Sequence, residues 1–246
     1  MTSVINRQQV NQKNCTILYD ASLISTPDSQ IFTPAYWQTQ AQVQPVSQGR
    51  GAAWFINQGE KNWVLRHYRR GGLPAKLNRD IYLGWRAAQT RAIQEWNLLV
   101  WMFERELPVP RPIAAQASWP GTKFSALYRA DIIVQTIPHT QNLSDSCLVR
   151  PLDENVWQAI GRCIARFHQQ GIYHSDLNAS NILLNQQSDV FLIDFDKSEQ
   201  RSKGGWQQQN LQRLLRSLKK FQHKHKKFNF TPENWQALYK AYQQSF

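Results

Sequence analysis

The chain has 246 residues, of which 41% are hydrophobic and 12% aromatic, and its net charge is +12. This length and aromatic content predict one large domain or two small lobes with a packed core, and they exclude an intrinsically disordered chain. The longest apolar run, Leu98–Phe103, is too short for a transmembrane helix, and the polar N-terminus gives no indication of a secretory signal. Three widely spaced cysteines disfavour a disulfide framework or a structural zinc site and favour a reducing cytoplasm.

The positive charge is concentrated in two segments of the chain. Residues 201–246 carry a net charge of +9 and residues 65–91 carry +6, so the rest of the chain sums to −3. Two basic segments that are also rich in aromatic residues suggest a polyanionic partner, which could be nucleic acid, a phosphorylated metabolite or an anionic membrane. The alternative for either segment is a solvated surface that keeps the protein soluble.

The first part of the chain reads as mostly extended, with one helix. Residues 1–30 look loosely structured because they are rich in Asn, Gln and Ser, and residues 31–48 read as irregular or part-helical. Apolar runs at Ala52–Ile56 and Asn62–Tyr68 flank a turn that contains glycine, which predicts a β-hairpin. Helical periodicity then extends from Ala87 to Leu107, where a proline-rich stretch ends it.

Two strand-like runs, Phe124–Tyr128 and Ile132–Ile137, lead into a second part that is rich in helix. Leu152–His168 places apolar residues at helical spacing. Short apolar runs at Asn181–Leu184 and Val190–Ile193 predict a second hairpin. The remaining residues carry apolar stripes that are typical of amphipathic helices.

This order of elements predicts an α+β fold in two lobes. The predicted N-lobe spans residues 1–137 and contains an antiparallel sheet with one helix. The predicted C-lobe spans residues 138–246 and is helical and compact, with one embedded hairpin. The boundary falls at Pro138, where the pattern of apolar residues changes from one typical of strands to one typical of helices.

The most informative motif lies in the second lobe. His174–Asn181 reads H-x-D-L-x-x-x-N, and a short hairpin separates it from Asp194-Phe195. The pattern resembles the catalytic loop and metal-binding strand of the protein-kinase-like fold. Phosphoryl transfer from ATP needs a carboxylate that orients the acceptor hydroxyl, and oxygen ligands for Mg²⁺. We therefore predict that Asp176 is catalytic and that Asn181 and Asp194 bind the metal; the alternative is that these side chains only cap and turn the loop.

The resemblance implies further parts in the N-lobe, which would cover ATP. A helix glutamate, here Glu95, is expected to pair with a cation on the second strand of the first hairpin. Arg66 stands on that strand where the family usually has lysine, and Val64 on the same face would lie over the adenine. Other possible phosphate contacts are Lys61, Arg69 and Lys76.

Three more features belong to the same resemblance. Gln135 and Ile137 lie in a stretch similar to the strand and hinge that offer backbone groups to adenine. Gly49 and Gly51 precede the first strand of the hairpin and could form a loop over the phosphates, although an ordinary turn is an equal alternative. Asp196 departs from the pattern, since a glycine usually comes after Asp-Phe.

The residues after the metal-binding strand indicate the acceptor class. No A-P-E segment or long activation loop is found after Asp194, which favours a small or glycan acceptor over a peptide. Trp63–Leu73, Tyr173–Leu184 and Ile193–Ser198 resemble the lipopolysaccharide core kinases that act on 3-deoxy-D-manno-octulosonic acid (Kdo). The resemblance implies that the γ-phosphate of ATP is transferred, with Mg²⁺, to the 4-hydroxyl of Kdo on a lipid A precursor.

The resemblance also implies partners and a location. The acceptor would be a Kdo–lipid A glycolipid, and the protein would be peripheral on the cytoplasmic face of the inner membrane of a Gram-negative bacterium. Basic residues after position 201, with Phe221 and Phe228, are predicted to face the anionic membrane. One alternative is a kinase of another small sugar, such as a heptose or an aminoglycoside-like compound. Another is an inactive kinase-like protein that binds nucleic acid, although the complete catalytic motif argues against it and nucleic acid is not expected as a partner.

Overall fold

A computed structural model describes residues 4–40, 42–45, 52–59, 61–69, 80–84, 86–120 and 126–246. The strands are β1 (Arg7–Gln12), β2 (Cys15–Asp20), β3 (Gln42–Pro45), β4 (Ala52–Gln58), β5 (Lys61–His67), β6 (Tyr82–Leu83), β7 (Pro112–Ser118), β8 (Leu127–Gln135), β9 (Thr140–Asn142), β10 (Ile172–Tyr173), β11 (Ile182–Asn185), β12 (Val190–Leu192) and β13 (Glu199–Gln200). The helices are α1 (Pro34–Gln38), α2 (Arg91–Phe103), α3 (Leu143–Val149), α4 (Glu154–Gln169), α5 (Trp206–Lys224) and α6 (Pro232–Ser245). Short 3₁₀ turns occupy Ser29–Phe32, Ala87–Gln89 and Ala179–Asn181.

The chain divides into two compact units. The first unit consists of Met1–Arg105 and Pro110–Thr136, and the second consists of Glu106–Val109 and Ile137–Phe246. Helices and antiparallel strands occur together, so the mixed α and β class that the sequence predicts is confirmed. Within the described residues, no helix is long and apolar enough to cross a membrane.

The first unit is built on one antiparallel sheet. Among the described strands its order is β1-β2-β7-β8-β5-β4-β3, with β6 paired to β8. Helix α2 packs on β7 and β8 through a stripe that includes Ile93, Trp96 and Val100. The sheet also contributes to an apolar cluster with Ile17, Leu65 and other buried side chains, and this core includes Trp63 and Leu65 of β5.

The second unit combines helices with two small sheets. Strands β12, β11 and β9 form one antiparallel sheet in that order, and β10 pairs with β13. Helices α4 and α6 pack closely at Gly161, where an added Cβ would lie 2.1 Å from the carbonyl oxygen of Leu238. A side chain at this position would therefore clash with the backbone of α6.

Several sequence-based predictions need correction. The prediction that residues 1–30 are loosely structured is wrong for residues 7–20, because β1 and β2 form a hairpin at the edge of the sheet. Outward-facing side chains on an edge strand can all be polar, and β1 has that composition. The helix predicted from Ala87 begins at Arg91 and ends at Phe103, since a 3₁₀ turn precedes it.

Two further differences concern strands and the predicted membrane face. Strand β7 carries small buried residues that give no alternating pattern, and the sequence-based prediction missed it. Strand β8 is continuous from Leu127 and ends at Gln135, before Ile137. Phe228 is buried and stacks on Phe221 with ring centroids 5.6 Å apart, so Phe228 does not face a membrane.

Candidate active site

The motif between β10 and β11 forms a tight loop that its own side chains hold. Asn178 precedes the 3₁₀ turn Ala179–Asn181 and caps it, since its Oδ1 accepts hydrogen bonds from the backbone N–H groups of Ser180 (2.8 Å) and Asn181 (3.2 Å). Its amide nitrogen donates to the carbonyl oxygen of Asp176 at 3.1 Å. The loop conformation is therefore encoded locally.

His174 anchors the loop from inside the second unit. The side chain is buried, and its Nε2 donates to the carbonyl oxygen of Ile193 at 3.0 Å while its Nδ1 accepts from the backbone N–H of Asp176 at 3.1 Å. Burial lowers the pKa of His174, in keeping with a neutral ring. Both ring nitrogens are engaged, so His174 tethers the backbone and is not placed to act as a base.

Asp176 presents a half-exposed carboxylate, with 46% of its side chain accessible. Both Nε (3.0 Å) and Nη2 of Arg213 donate to the same oxygen, Oδ1. Partial burial raises the pKa of Asp176, but hydrogen bonds, first among them those from Arg213, outweigh it and hold the pKa below its usual range. The carboxylate is therefore ionised at neutral pH and accessible to a hydroxyl group.

Helix α5 supports the loop between β10 and β11, which carries the predicted catalytic residue Asp176, through three side chains on one face, at positions i, i+3 and i+7. Asn210 brackets the backbone of His174, accepting from its N–H at 3.1 Å and donating to its carbonyl at 3.0 Å. Arg213 holds Asp176, and the hydroxyl of Ser217 accepts from the N–H of Ala179 at 3.2 Å. The helix thus fixes both ends and the middle of the loop.

Asn181 and Asp194 are brought together by the hairpin of β11 and β12. Ile182 pairs with Leu192 in this hairpin, and the N–H of Ile193 donates to the carbonyl of Asn181 at 3.1 Å. Asn181 donates its amide nitrogen to the carbonyl of Asp176 at 2.9 Å, which leaves its Oδ1 as the atom suited to a cation.

Backbone geometry also distinguishes Asp194. Its φ is 64°, in the left-handed region that non-glycine residues rarely adopt, and such positions concentrate at functional sites. An amide oxygen and a carboxylate are hard donors of the kind that Mg²⁺ takes together with substrate phosphates and water. Among the described residues no larger group of acidic, His or Cys side chains is arranged to hold a metal ion. The donor set therefore fits a magnesium ion that is completed by oxygen atoms of a bound nucleotide.

The residues after Asp194 pack against the loop that contains Asp176 and are hydrogen-bonded to it. Phe195 is buried between the rings of Phe167 and His174, with centroids 5.8 and 4.7 Å away. Ser175 donates its hydroxyl to the carbonyl of Asp196. The catalytic loop is thus tied to the turn at Asp196 through the backbone, whereas the role of the Asp196 carboxylate stays a prediction.

In the first unit, Arg66 on β5 and Glu95 on α2 form an ion pair. Nη2 of Arg66 lies 2.8 Å from Oε1 and 2.7 Å from Oε2 of Glu95, and the hydroxyl of Tyr68 also donates to Oε2. Glu95 is almost fully buried, with 2% of its side chain accessible, whereas 24% of Arg66 is accessible. The pair joins the helix to the sheet and leaves about a quarter of the Arg66 side chain exposed to solvent.

The other predicted nucleotide contacts are less defined. Val64 is half-buried on β5, two residues before Arg66. The N–H of Gln135 donates to the carbonyl of Arg111 at 2.8 Å, and the carbonyl of Ile137 accepts from the hydroxyl of Thr140 at 2.8 Å. Those two backbone groups have partners within the protein, so any adenine contact would use the Gln135 carbonyl or the Ile137 N–H.

The alternative phosphate contacts are only partly described by the structure. Arg69 is exposed just after β5. Lys61 begins β5, and only its backbone is described. Outside the described residues lie Gly49, Gly51 and Lys76. The predicted roles of all these residues remain predictions.

Sequence reasoning missed the residues that hold the site from a distance. Arg213 reads as one more cation of a basic helix, and nothing in a sequence separation of 37 residues indicates its contact with Asp176. Tyr68 reads as a strand aromatic, although its hydroxyl donates a hydrogen bond to Glu95. The one available signal is the i, i+3, i+7 spacing of the polar residues Asn210, Arg213 and Ser217 on α5.

Comparison with known proteins identifies the class of this chain. Residues 34–242 match the model of the family described as "Lipopolysaccharide kinase (Kdo/WaaP) family", and the chain belongs to this family. It is therefore an enzyme of the kinase class, and the resemblance drawn from the sequence motifs is confirmed.

Individual relatives carry a more specific name, 3-deoxy-D-manno-octulosonic acid kinase. The chain is 43% identical over 215 residues to the protein of that name from Vibrio parahaemolyticus serotype O3:K6 (strain RIMD 2210633), covering 87% of this chain and 88% of the relative. Identity to the one from Vibrio vulnificus (strain YJ016) is 38% over 240 residues, or 98% of this chain and 99% of the relative. Identity to the one from Xylella fastidiosa (strain M12) is 41% over 206 residues, or 83% and 80%.

Proposed function

We propose that this protein transfers the γ-phosphate of ATP to the 4-hydroxyl of Kdo on a Kdo–lipid A precursor, in the biosynthesis of the lipopolysaccharide core. The observation that carries the proposal is the half-exposed, ionised carboxylate of Asp176 on a loop fixed from three sides. Family membership and relatives named for Kdo phosphorylation give the acceptor class. On this proposal the two units correspond to the strand-rich and helical lobes of a protein-kinase-like fold.

Asp176 performs the acid–base part of the reaction. Its carboxylate accepts a hydrogen bond from the acceptor hydroxyl and takes the proton as the hydroxyl oxygen bonds to the γ-phosphorus. The bond from the γ-phosphorus to the bridging oxygen breaks, and ADP leaves with that oxygen. Because Asp176 is already ionised at neutral pH, it is ready to accept the proton.

Asn181 and Asp194 hold Mg²⁺ through one amide oxygen and one carboxylate. The metal, when bound, neutralises charge on the phosphates of the nucleotide. In the first unit, the exposed part of Arg66 contacts nucleotide phosphate while Glu95 fixes its position. Val64 packs on the adenine, and Gln135 and Ile137 offer the carbonyl and N–H named above.

The surface of α5 provides a contact with an anionic membrane. Arg213, Arg216, Lys220 and Lys224 succeed one another at i, i+3, i+7 and i+11 and form what we call the basic stripe, which is exposed. It begins at the residue that contacts Asp176 and extends about 16 Å along the helix. A glycolipid whose sugar reaches Asp176 would therefore have its anionic surroundings beside the stripe. On this proposal the protein is peripheral at the cytoplasmic face of the inner membrane of a Gram-negative bacterium.

An acceptor panel tests the proposal. The purified protein is incubated with Mg²⁺, γ-labelled ATP and, in parallel, a Kdo–lipid A precursor, a heptose-terminated core fragment and an aminoglycoside. We expect label on the Kdo acceptor alone, at the 4-oxygen of the sugar. Label on the heptose or the aminoglycoside, or on another position of Kdo, would contradict the acceptor proposed here. Binding of nucleic acid without ATP and without any phosphate transfer would contradict the enzymatic function.

A further inference from the structure

The contact between Arg213 and Asp176 has a geometry that calls for an explanation. Nε and Nη2 form the edge of a guanidinium that matches the two oxygens of a carboxylate in parallel hydrogen bonds. Here both nitrogens donate to the single oxygen Oδ1 of Asp176. This edge of the guanidinium could bind two carboxylate oxygens side by side, but in the structure it binds only one oxygen of Asp176.

Exposure makes this contact exchangeable. The side chains of Arg213 and Asp176 are 47% and 46% accessible, and ion pairs between half-exposed groups are weak because water competes for both partners. The position of Arg213 is nevertheless well defined. Asn210, one turn earlier on α5, and Ser217, one turn later, are both hydrogen-bonded to the catalytic loop.

An acidic sugar acceptor would bring a second carboxylate close to Arg213. An octulosonic acid carries a carboxylate a few bonds from its ring hydroxyls. A hydroxyl that reaches Asp176 brings that carboxylate into the neighbourhood of the cation that touches Asp176. We propose that Arg213 recognises the carboxylate of the sugar acid and so determines the acceptor class, a role that rests on the function proposed above.

The same contact would give selectivity for acidic sugars. A neutral sugar offers the guanidinium no second anion, so it cannot exchange with Asp176 for these hydrogen bonds.

The test compares two acceptors that differ in one group: the Kdo–lipid A precursor, and the same compound with the Kdo carboxylate converted to the neutral primary amide. For the unaltered protein we expect kcat/KM to be about 10- to 100-fold lower on the amide, the range of one hydrogen-bonded charge. In Arg213→Gln the ratio between the two acceptors should fall close to one, with KM for the carboxylate acceptor raised. Arg213→Lys should recover part of the ratio, because it restores the charge without the fork.

A matched control is Arg162→Gln, which removes the same charge from an exposed position on α4. This variant should keep the ratio of the unaltered protein, and the melting temperatures of all variants show that they are folded. If Arg213→Gln lowers turnover on both acceptors equally and keeps the ratio, Arg213 only orients Asp176 and the proposal is overturned. Equal use of both acceptors by the unaltered protein overturns it as well and leaves the proposed function standing, whereas no transfer to either acceptor counts against the proposed function itself.

Discussion

At the scale of single residues, the second unit controls the backbone and the carboxylate of Asp176 separately. The N–H of Asp176 is bound by His174, and its carbonyl accepts from Asn178 and Asn181. The carboxylate is instead held by Arg213, through one of its oxygens. The backbone of Asp176 is therefore held by neutral side chains. Its carboxylate is held by Arg213, an exposed cation that an acceptor can approach.

Arg66 permits a prediction about the departure from lysine. The Nη2 atom of Arg66 contacts both oxygens of Glu95, which is a contact that the ammonium group of lysine can also make. Arg66→Lys should therefore keep much of the activity, with a modestly higher KM for ATP. Arg66→Gln removes this cation from the buried charge of Glu95 and should lower the free energy of unfolding by about 2 kcal/mol or more.

The measurement for Arg66 is denaturant unfolding together with the KM for ATP. Arg86→Gln, which removes an exposed arginine from the same unit, serves as the control and should leave both quantities unchanged. If Arg66→Lys and Arg66→Gln changed the free energy of unfolding and the KM for ATP equally, this would contradict the view that a single positive charge beside Glu95 is sufficient.

At the scale of elements, α4, α5 and α6 meet around a buried histidine. Nδ1 of His168 lies 3.0 Å from the hydroxyl of Tyr242 on α6, and the ring of Trp206 on α5 lies edge-on with a centroid distance of 5.0 Å. Burial lowers the pKa of His168 to about 4, and a hydrogen bond with Asn210 opposes the shift only in part. The same Asn210 holds the catalytic loop, so this packing also supports the site.

The lowered pKa predicts how stability depends on pH. Above about pH 6.5 neither the folded nor the unfolded protein protonates His168, so the residue has no effect there. As the pH falls from 6.5 towards 4, the unfolded chain binds a proton that the folded protein does not, and about 3 kcal/mol of the free energy of unfolding is lost. In denaturant unfolding at several pH values, the free energy of unfolding of His168→Gln should fall less steeply with decreasing pH than that of the unaltered protein. An unchanged slope in that variant would contradict the assignment, and the exposed His223→Gln is the matched control.

The elements also show what a sequence can predict here. The hairpin of β11 and β12 and the helix α4 were predicted because their apolar periodicity and turn residues are local signals. Strands β1 and β7 were missed because an edge strand can be polar and a fully buried strand loses alternation. The motif that shows the family resemblance could be identified from its spacing, whereas the contact of Arg213 with Asp176 arises only when α5 packs against the loop.

At the scale of the whole molecule, the uneven charge is the most prominent property. Residues 65–91 and 201–246 together carry a net charge of +15, and the rest of the chain is slightly acidic at −3. The first segment contains Arg66 of the ion pair with Glu95, and the second contains the basic stripe. The proposed function assigns the first to nucleotide phosphates and the second to the acceptor and its membrane.

The membrane role of the second segment can be tested without catalysis. Replacing Lys219, Lys220 and Lys224 by Gln should weaken binding to vesicles that contain anionic phospholipid by about 3 kcal/mol at low salt, since each basic residue near such a surface contributes about 1 kcal/mol. Added salt should weaken the binding of the unaltered protein in the same direction.

The control for the vesicle experiment removes the same number of charges elsewhere in the second unit. Arg150, Arg162 and Lys240 are exposed, and their replacement by Gln should leave vesicle affinity nearly unchanged. Equal losses in the two triple variants would indicate a general effect of net charge and would contradict a role for the α5 surface.

The assignment of Asp176 is tested most directly by initial rates of Kdo phosphorylation for the unaltered protein, Asp176→Asn and Asp153→Asn. Asp153 precedes α4 and is exposed, and asparagine is equally suitable at that position, so this variant controls for the loss of one carboxylate. We expect Asp176→Asn to lose about 100- to 10,000-fold in kcat with an unchanged melting temperature, and Asp153→Asn to keep full activity. A folded Asp176→Asn protein that phosphorylates Kdo at the unaltered rate would contradict the account.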